Sequence, residues 1–186
     1  MADVAGKGMP AALLVSSLHA YLSAYLETHM SLAELAGRLN KVICRTSTAD
    51  KFITAFIALL TPGTGKIEAV NAGHNPVYWL KKDGTIQELK ASGVPFGMLD
   101  LDLPYQSEQI NLGNGERVLL YTDGITEAIN EEQQLYDSCV PLKEFVINMR
   151  QHSAKEFIDV LISDVKRFSG TAPQADDITA LYVIRS

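Results

Sequence analysis

The sequence predicts an α+β domain in which antiparallel strands pair as hairpins and helices are grouped around them. Three observations carry this. Apolar residues recur at helical spacing early in the chain, short apolar runs flank turn-forming residues in its middle, and a capped helical stretch precedes a closing strand.

In chain order, Pro10 stands where the first turn of a helix tolerates a missing N–H, and Leu14, Leu18, Tyr21, Leu22 and Tyr25 follow at helical spacing. Ser31 and Glu34 form a capping-box pattern, in which hydroxyl and carboxylate each satisfy a backbone donor. Leu32, Leu35, Leu39 and Val42 then make one apolar stripe, so a second helix is expected beside the first. Residues 52–60 are apolar and rich in aromatic and branched side chains, 61–65 are turn chemistry, and 66–70 read as the returning strand. A second hairpin is predicted where residues 77–80 and 85–89 flank Asp83-Gly84. Residues 117–121 read as a buried strand, Ser153 and Glu156 open a capped helix to about Phe168, and 178–184 close the chain as a strand.

A chain of 186 residues fits one domain, taken as residues 1–186. Its 47% hydrophobic and 20% charged content is ordinary for a soluble protein, and no window approaches the ~20 apolar residues that span a bilayer. The net charge of -6 argues against a nucleic-acid partner, which calls for clustered Lys and Arg. Cys44 and Cys139 form no C-x-x-C or Cys/His cluster and are expected as buried thiols in a reducing cytoplasm. The first residues carry no charged-then-apolar leader, so a cytoplasmic location is expected.

Acidic residues stand at three junctions between strands and turns: Asp3, Asp123 and the pair Asp176-Asp177. Hard cations such as Mg²⁺ and Mn²⁺ take carboxylate, carbonyl and water oxygens, and the glycines beside these aspartates allow close backbone approach. Taken singly, each reads more readily as a turn or cap residue than as a metal ligand. Gly6-Lys7-Gly8 before a helix also suits a phosphate cradle, but the Walker spacing and the Ser/Thr after Lys are absent.

Six motifs in order resemble the stage II sporulation E-type phosphatases, the bacterial branch of the protein phosphatase 2C superfamily: Asp3-Val-Ala-Gly-Lys-Gly-Met-Pro-Ala-Ala12, Phe52-Ile-Thr-Ala-Phe56, Asn71-Ala-Gly-His-Asn-Pro76, Gly93-Val-Pro-Phe-Gly97, Leu120-Tyr-Thr-Asp-Gly-Ile-Thr-Glu127 and Asp176-Asp-Ile-Thr179. The resemblance covers essentially the whole chain. It implies an antiparallel β-sandwich flanked by helices on both faces, with two Mn²⁺ or Mg²⁺ ions. By the same resemblance Asp3 bridges the metals, the Val4 carbonyl helps hold the first, and Asp123 and Asp176 hold the second, with Asp177 a further ligand. Asp3, Asp123 and Asp176 are thereby the catalytic residues. The implied reaction is hydrolysis of phosphoserine or phosphothreonine by a metal-activated water. The implied substrate is a small STAS-type anti-sigma-factor antagonist, and the two helices after Asp3 correspond to regulatory helices that couple sensing to metal-site assembly.

The chain departs from the pattern in two places. Lys7 stands where relatives commonly carry His, a candidate general acid, and Lys is a poorer match for that role near neutral pH. The family's opening strand hairpin, with another metal-site aspartate, has no counterpart here. The chain is therefore expected to be N-terminally incomplete, a fragment of a sensor-phosphatase with an upstream domain, and Met1-Ala2 to be too short for a strand that positions Asp3. An uncovered sheet edge would then favour a homodimer. The alternative is a pseudophosphatase that grips a STAS partner without hydrolysis. His74 lies in a Gly-His-Asn-Pro turn and is expected to make a structural hydrogen bond, while His19, His29 and His152 are expected to face solvent or pack.

Overall fold

A computed structural model describes residues 1–26, 28, 30–47, 51–100, 104–174 and 176–186. His29 lies outside the described residues. In chain order the elements are β1 (Ala2–Val4), α1 (Met9–Leu26), α2 (Leu32–Thr46), β2 (Ile53–Thr61), β3 (Lys66–Ala72), β4 (Val77–Leu80) and β5 (Ile86–Leu89). They continue with β6 (Glu108–Asn111), β7 (Arg117–Tyr121), α3 (Asp123–Thr126), α4 (Tyr136–Cys139), α5 (Leu142–Asn148), α6 (Ala154–Ser169) and β8 (Ala180–Ile184). They form two compact units, Met1–His74 with Lys90–Asn111, and Asn75–Leu89 with Leu112–Ser186. Each unit holds one four-stranded antiparallel sheet and its own helices, so the α+β class is as expected.

In the first unit the sheet order is β1-β2-β3-β6. The capping box of α2 forms as read: the Ser31 hydroxyl accepts from Glu34 N at 3.3 Å and Ser31 N donates to Glu34 Oε2 at 2.9 Å. Its buried stripe is Leu32, Leu35, Leu39 and Ile43, with Ile43 rather than Val42 closing it because the helical period brings residue 43 back under Leu39. These side chains join Leu14 and Leu18 of α1 over Ile53, Ala55, Val70 and Ala72 of the sheet. Buried Asn40 ties α2 to the loop after β5, donating to Leu99 O and accepting from Gly97 N, both at 3.0 Å.

The first residues correct an expectation. Ala2–Val4 is a strand, with Asp3 opposite Thr54 and Val4 opposite Ile53, extended by Ala5 N to Phe52 O and Phe56 N to Met1 O, each 2.9 Å. Three residues suffice because they add to a β2 that β3 already pairs along six positions, so the short strand need not support itself. Strand β6 was not anticipated, since only Ile110 of its four residues is buried.

The second unit has the order β5-β4-β7-β8. The β4–β5 hairpin turns at the predicted Asp83-Gly84: Lys81 N donates to Thr85 O at 2.8 Å, Asp83 Oδ1 accepts from Thr85 N at 2.9 Å, and Gly84 takes φ +92°. Helix α6 opens on the expected box, Ser153 N donating to Glu156 Oε2 at 2.9 Å and Ser153 Oγ accepting from Glu156 N. Its Phe157, Leu161 and Val165, spaced by four, are fully buried against Tyr78, Leu119 and Tyr182. The Phe157 ring stacks on Tyr182 with centroids 3.9 Å apart. Cysteine exposure differs from expectation: Cys139 is exposed at the end of α4 and Cys44 half-buried, because neither lies on the apolar face of its helix. Among the described residues no helix is long and apolar enough to cross a membrane.

Because Phe157 is fully enclosed and stacked, Phe157→Ala is expected to cost about 3–5 kcal/mol in denaturant unfolding, by lost burial and the cavity left behind.

Candidate functional site

Strand β7 delivers Asp123. Its ladder to β8 ends with Tyr121 opposite Ala180, and Thr122 extends it by side chain as well as main chain. Thr122 N donates to Thr179 O at 3.0 Å, its hydroxyl donates to Asp177 O at 2.8 Å, and the same oxygen accepts from Thr179 N at 3.0 Å. Thr122 then serves as N-cap residue of the short α3, which begins at Asp123. Gly124 lies so close to the segment before β8 that a Cβ there would meet Asp177 O at 2.4 Å.

The Asp176 carboxylate is fixed by its neighbour, since Asp177 N donates to Asp176 Oδ1 at 2.8 Å, and Gln174 Nε2 donates to Asp176 O at 2.8 Å. Half-buried Asp123 and exposed Asp176 thereby each present one carboxylate oxygen, the two within 4.8 Å of one another. Asp177 joins this arrangement through its main chain, its N–H donating to Asp176 and its carbonyl accepting from Thr122. At this spacing two carboxylates repel each other, and a hard divalent cation between them converts the repulsion to attraction, so this oxygen pair fits Mg²⁺ or Mn²⁺.

Both aspartates line a cavity of about 390 Å³ within the second unit. Glu127, one helical turn after Asp123, lines it too, as do Lys166 from the last turn of α6 and the loop that follows. That loop is clasped by Glu131, whose Oε1 accepts from Thr171 Oγ1 at 2.7 Å and from Thr171 N at 3.3 Å. These two bonds hold the Glu131 carboxyl below its usual range. Glu127 and Lys166 escaped the sequence reading. The available signals were the i, i+4 spacing of two acids after a strand and a basic residue closing a capped helix, neither of which specifies a shared cavity.

In the first unit Asp3, half-buried, and Val4 sit side by side on β1. Lys7 is exposed in the loop between β1 and α1. His74 is buried with 4% of its surface exposed. Its main-chain N–H donates to Asn71 Oδ1 at 2.8 Å, its ring Nδ1 lies 2.9 Å from Thr54 Oγ1, and its ring Nε2 is buried without a partner. The structural hydrogen bond expected of it is present. Burial pulls its pKa down to about 4 against the opposing pull of Asp3, so the ring is neutral at neutral pH. His19 and His152 face solvent, as expected.

The family model for Stage II sporulation protein E (SpoIIE) matches residues 1–186. The chain is 31% identical over 165 residues to "Phosphoserine phosphatase RsbU" of Bacillus subtilis, covering 87% of this chain and 49% of that protein. It thus spans about half the length of that relative. Among solved structures, the SiaA-PP2C domain of Pseudomonas aeruginosa matches with a TM-score of 0.83 at 22% identity, over 98% of this chain and 73% of that one. The manganese-presoaked phosphatase domain of the cell fate determinant SpoIIE from Bacillus subtilis matches with a TM-score of 0.59 at 16% identity, over 97% of this chain and 76% of that one. At such identities the structural likeness establishes the fold, that of protein phosphatase 2C domains.

Two outcomes are expected from this geometry. Gly124→Ala should destabilise the protein by about 1–3 kcal/mol in denaturant unfolding, since the new methyl meets main chain rather than a flexible side chain. For His74, the unfolded chain takes up a proton near pH 6.5 and the folded one only near pH 4, so stability is lost as pH falls through that window. Unfolding free energies measured from pH 7 to 4 should fall more steeply for the wild type than for His74→Gln.

Proposed function

The chain belongs to the stage II sporulation protein E family, and from that premise we propose that it is a metal-dependent protein phosphatase acting on phosphoserine or phosphothreonine. The observation that carries this reading is the Asp123–Asp176 oxygen pair, within 4.8 Å and opening on a cavity. Asp123 and Asp176 would hold Mn²⁺ or Mg²⁺. By the family resemblance Asp3, the Val4 carbonyl and Asp177 are proposed as further ligands, for two ions in all. Bound there, divalent cations supply Lewis acidity, neutralising phosphoryl charge and lowering the pKa of water.

What the chain's own residues contribute is position. Thr122 joins the end of β7 to the segment that carries Asp176, which keeps the main chain of the two aspartates close together. Gly124 admits that segment at a distance no side chain would permit. The cavity beside the carboxylates offers the substrate's phosphorylated segment a partly enclosed seat.

The proposed substrate is a small phosphorylated STAS-domain anti-sigma-factor antagonist, and the proposed setting is a longer cytoplasmic or membrane-anchored protein whose upstream sensor domain controls the phosphatase. Support for both comes from the family resemblance and from the chain spanning half of a longer relative named as a phosphoserine phosphatase.

Phosphate release from a phosphorylated STAS-domain protein is the direct assay, with release expected in Mn²⁺ and none in EDTA. Asp123→Asn should reduce the rate to that seen without metal while the far-ultraviolet circular dichroism is unchanged, because an amide loses the charge that holds the cation. Full activity in a folded Asp123→Asn protein would remove Asp123 from the site, and binding of the partner without phosphate release would leave a docking module instead.

A further inference from the structure

The cavity beside Asp123 and Asp176 is larger than two metal ligands require. Its volume of about 390 Å³ falls in the range of about 300–1,000 Å³ typical of ligand pockets. Its walls are mixed: Ile129, Pro173 and Ile178 are apolar, while Asp123, Glu127 and Asp176 are acidic and Lys166 is the one cation among the lining residues. A phosphorylated side chain carries about -1.5 to -2 charges at pH 7 and is repelled by each carboxylate it approaches. Cations on Asp123 and Asp176 would offset those two, but Glu127 remains.

Lys166 is suited to answer that charge. Among the described residues it forms no ion pair, although three carboxylates line the same cavity. The other basic residues of α6 are differently engaged, Lys155 with Asp159 at 2.6 Å and Arg167 with Asp164. A lysine in the last turn also complements the negative end of the helix dipole. Arg167 on the same turn provides that charge already, and dipole complementation does not account for Lys166 lining the cavity.

Resting on the phosphatase reading, we propose that Lys166 is a specificity-determining residue whose ammonium receives an anionic oxygen of the substrate within this cavity. That oxygen belongs either to the phosphoryl group or to an acidic side chain beside the phosphorylated residue.

The test uses the full chain, its Lys166→Gln and Lys166→Arg variants, a phosphoserine peptide with an acidic neighbour, and p-nitrophenyl phosphate, all with Mn²⁺ present. Lys166→Gln is expected to raise the peptide KM about tenfold, the loss of one hydrogen bond to a charged group, with kcat little changed and Lys166→Arg restoring the KM. Fluorescence anisotropy of the labelled peptide, which needs no turnover, should show the same loss of affinity. A parallel rise in KM for p-nitrophenyl phosphate assigns the contact to the phosphoryl group, and a rise confined to the peptide assigns it to the acidic neighbour. Unchanged KM and anisotropy in Lys166→Gln, or no peptide binding by the wild type, overturns the inference. Peptide binding that depends on Lys166 but yields no phosphate would sustain it while removing the phosphatase reading.

Discussion

The chemistry of the second unit depends on how β7 and β8 end together. Their ladder runs from Arg117 opposite Ile184 to Tyr121 opposite Ala180, and one more residue, Thr122, carries the pairing forward with its hydroxyl as both donor and acceptor. Thr122 is only 7% exposed, so those bonds also satisfy a buried polar group that would otherwise cost about 1–3 kcal/mol. The two chain segments leave the sheet side by side, and each places an aspartate at its exit. The main chain beside the carboxylate pair is thereby tied to the end of a sheet, although exposed Asp176 itself lies in the segment before β8.

The same unit supplies its support from below and beside. Phe157, Leu161 and Val165 anchor α6 on the sheet, and its last turn brings Lys166 to the cavity wall. After Gly170, at φ +56°, the chain turns back along the cavity under the grip of Glu131 on Thr171. The first unit uses a comparable device, with Asn40 buried in α2 and bonded to main chain at Gly97 and Leu99. In both, one polar side chain holds a loop by hydrogen bonds that include its main chain.

How much of this was legible in the sequence follows from how local each cause is. Helices α2 and α6 were readable because their caps, Ser31 with Glu34 and Ser153 with Glu156, lie within four residues and act alone. The β4–β5 hairpin was readable because Asp83-Gly84 dictates its own turn. Strand β1 was not, because its stability comes from β2, some fifty positions away in sequence, and β6 was not, because three of its four residues are exposed. In the candidate site, Asp123 and Asp176 could be suspected as acids at strand ends. Their proximity could not be derived from spacing, since it is made by the β7–β8 register, and Lys166 and Glu127 became visible only once a cavity existed around them.

The distance in sequence between the two halves of the Thr122 clasp also bears on the order of biosynthesis. Thr122 and Asp177 are 55 residues apart, so at about 5–20 residues per second a ribosome needs about 3–11 s to supply the second after the first. During that interval β7, with Leu119 and Tyr121 destined for the core, lacks its β8 neighbour and presents an open, apolar edge. The segment made in the meantime contains α5 and α6, whose contacts are local and form quickly. The nascent protein therefore passes through a stage in which the helices are made, β7 is paired with β4 on one side only, and the acidic pair has not been assembled. A chaperone encountering the chain at that stage would meet β7 rather than the finished site.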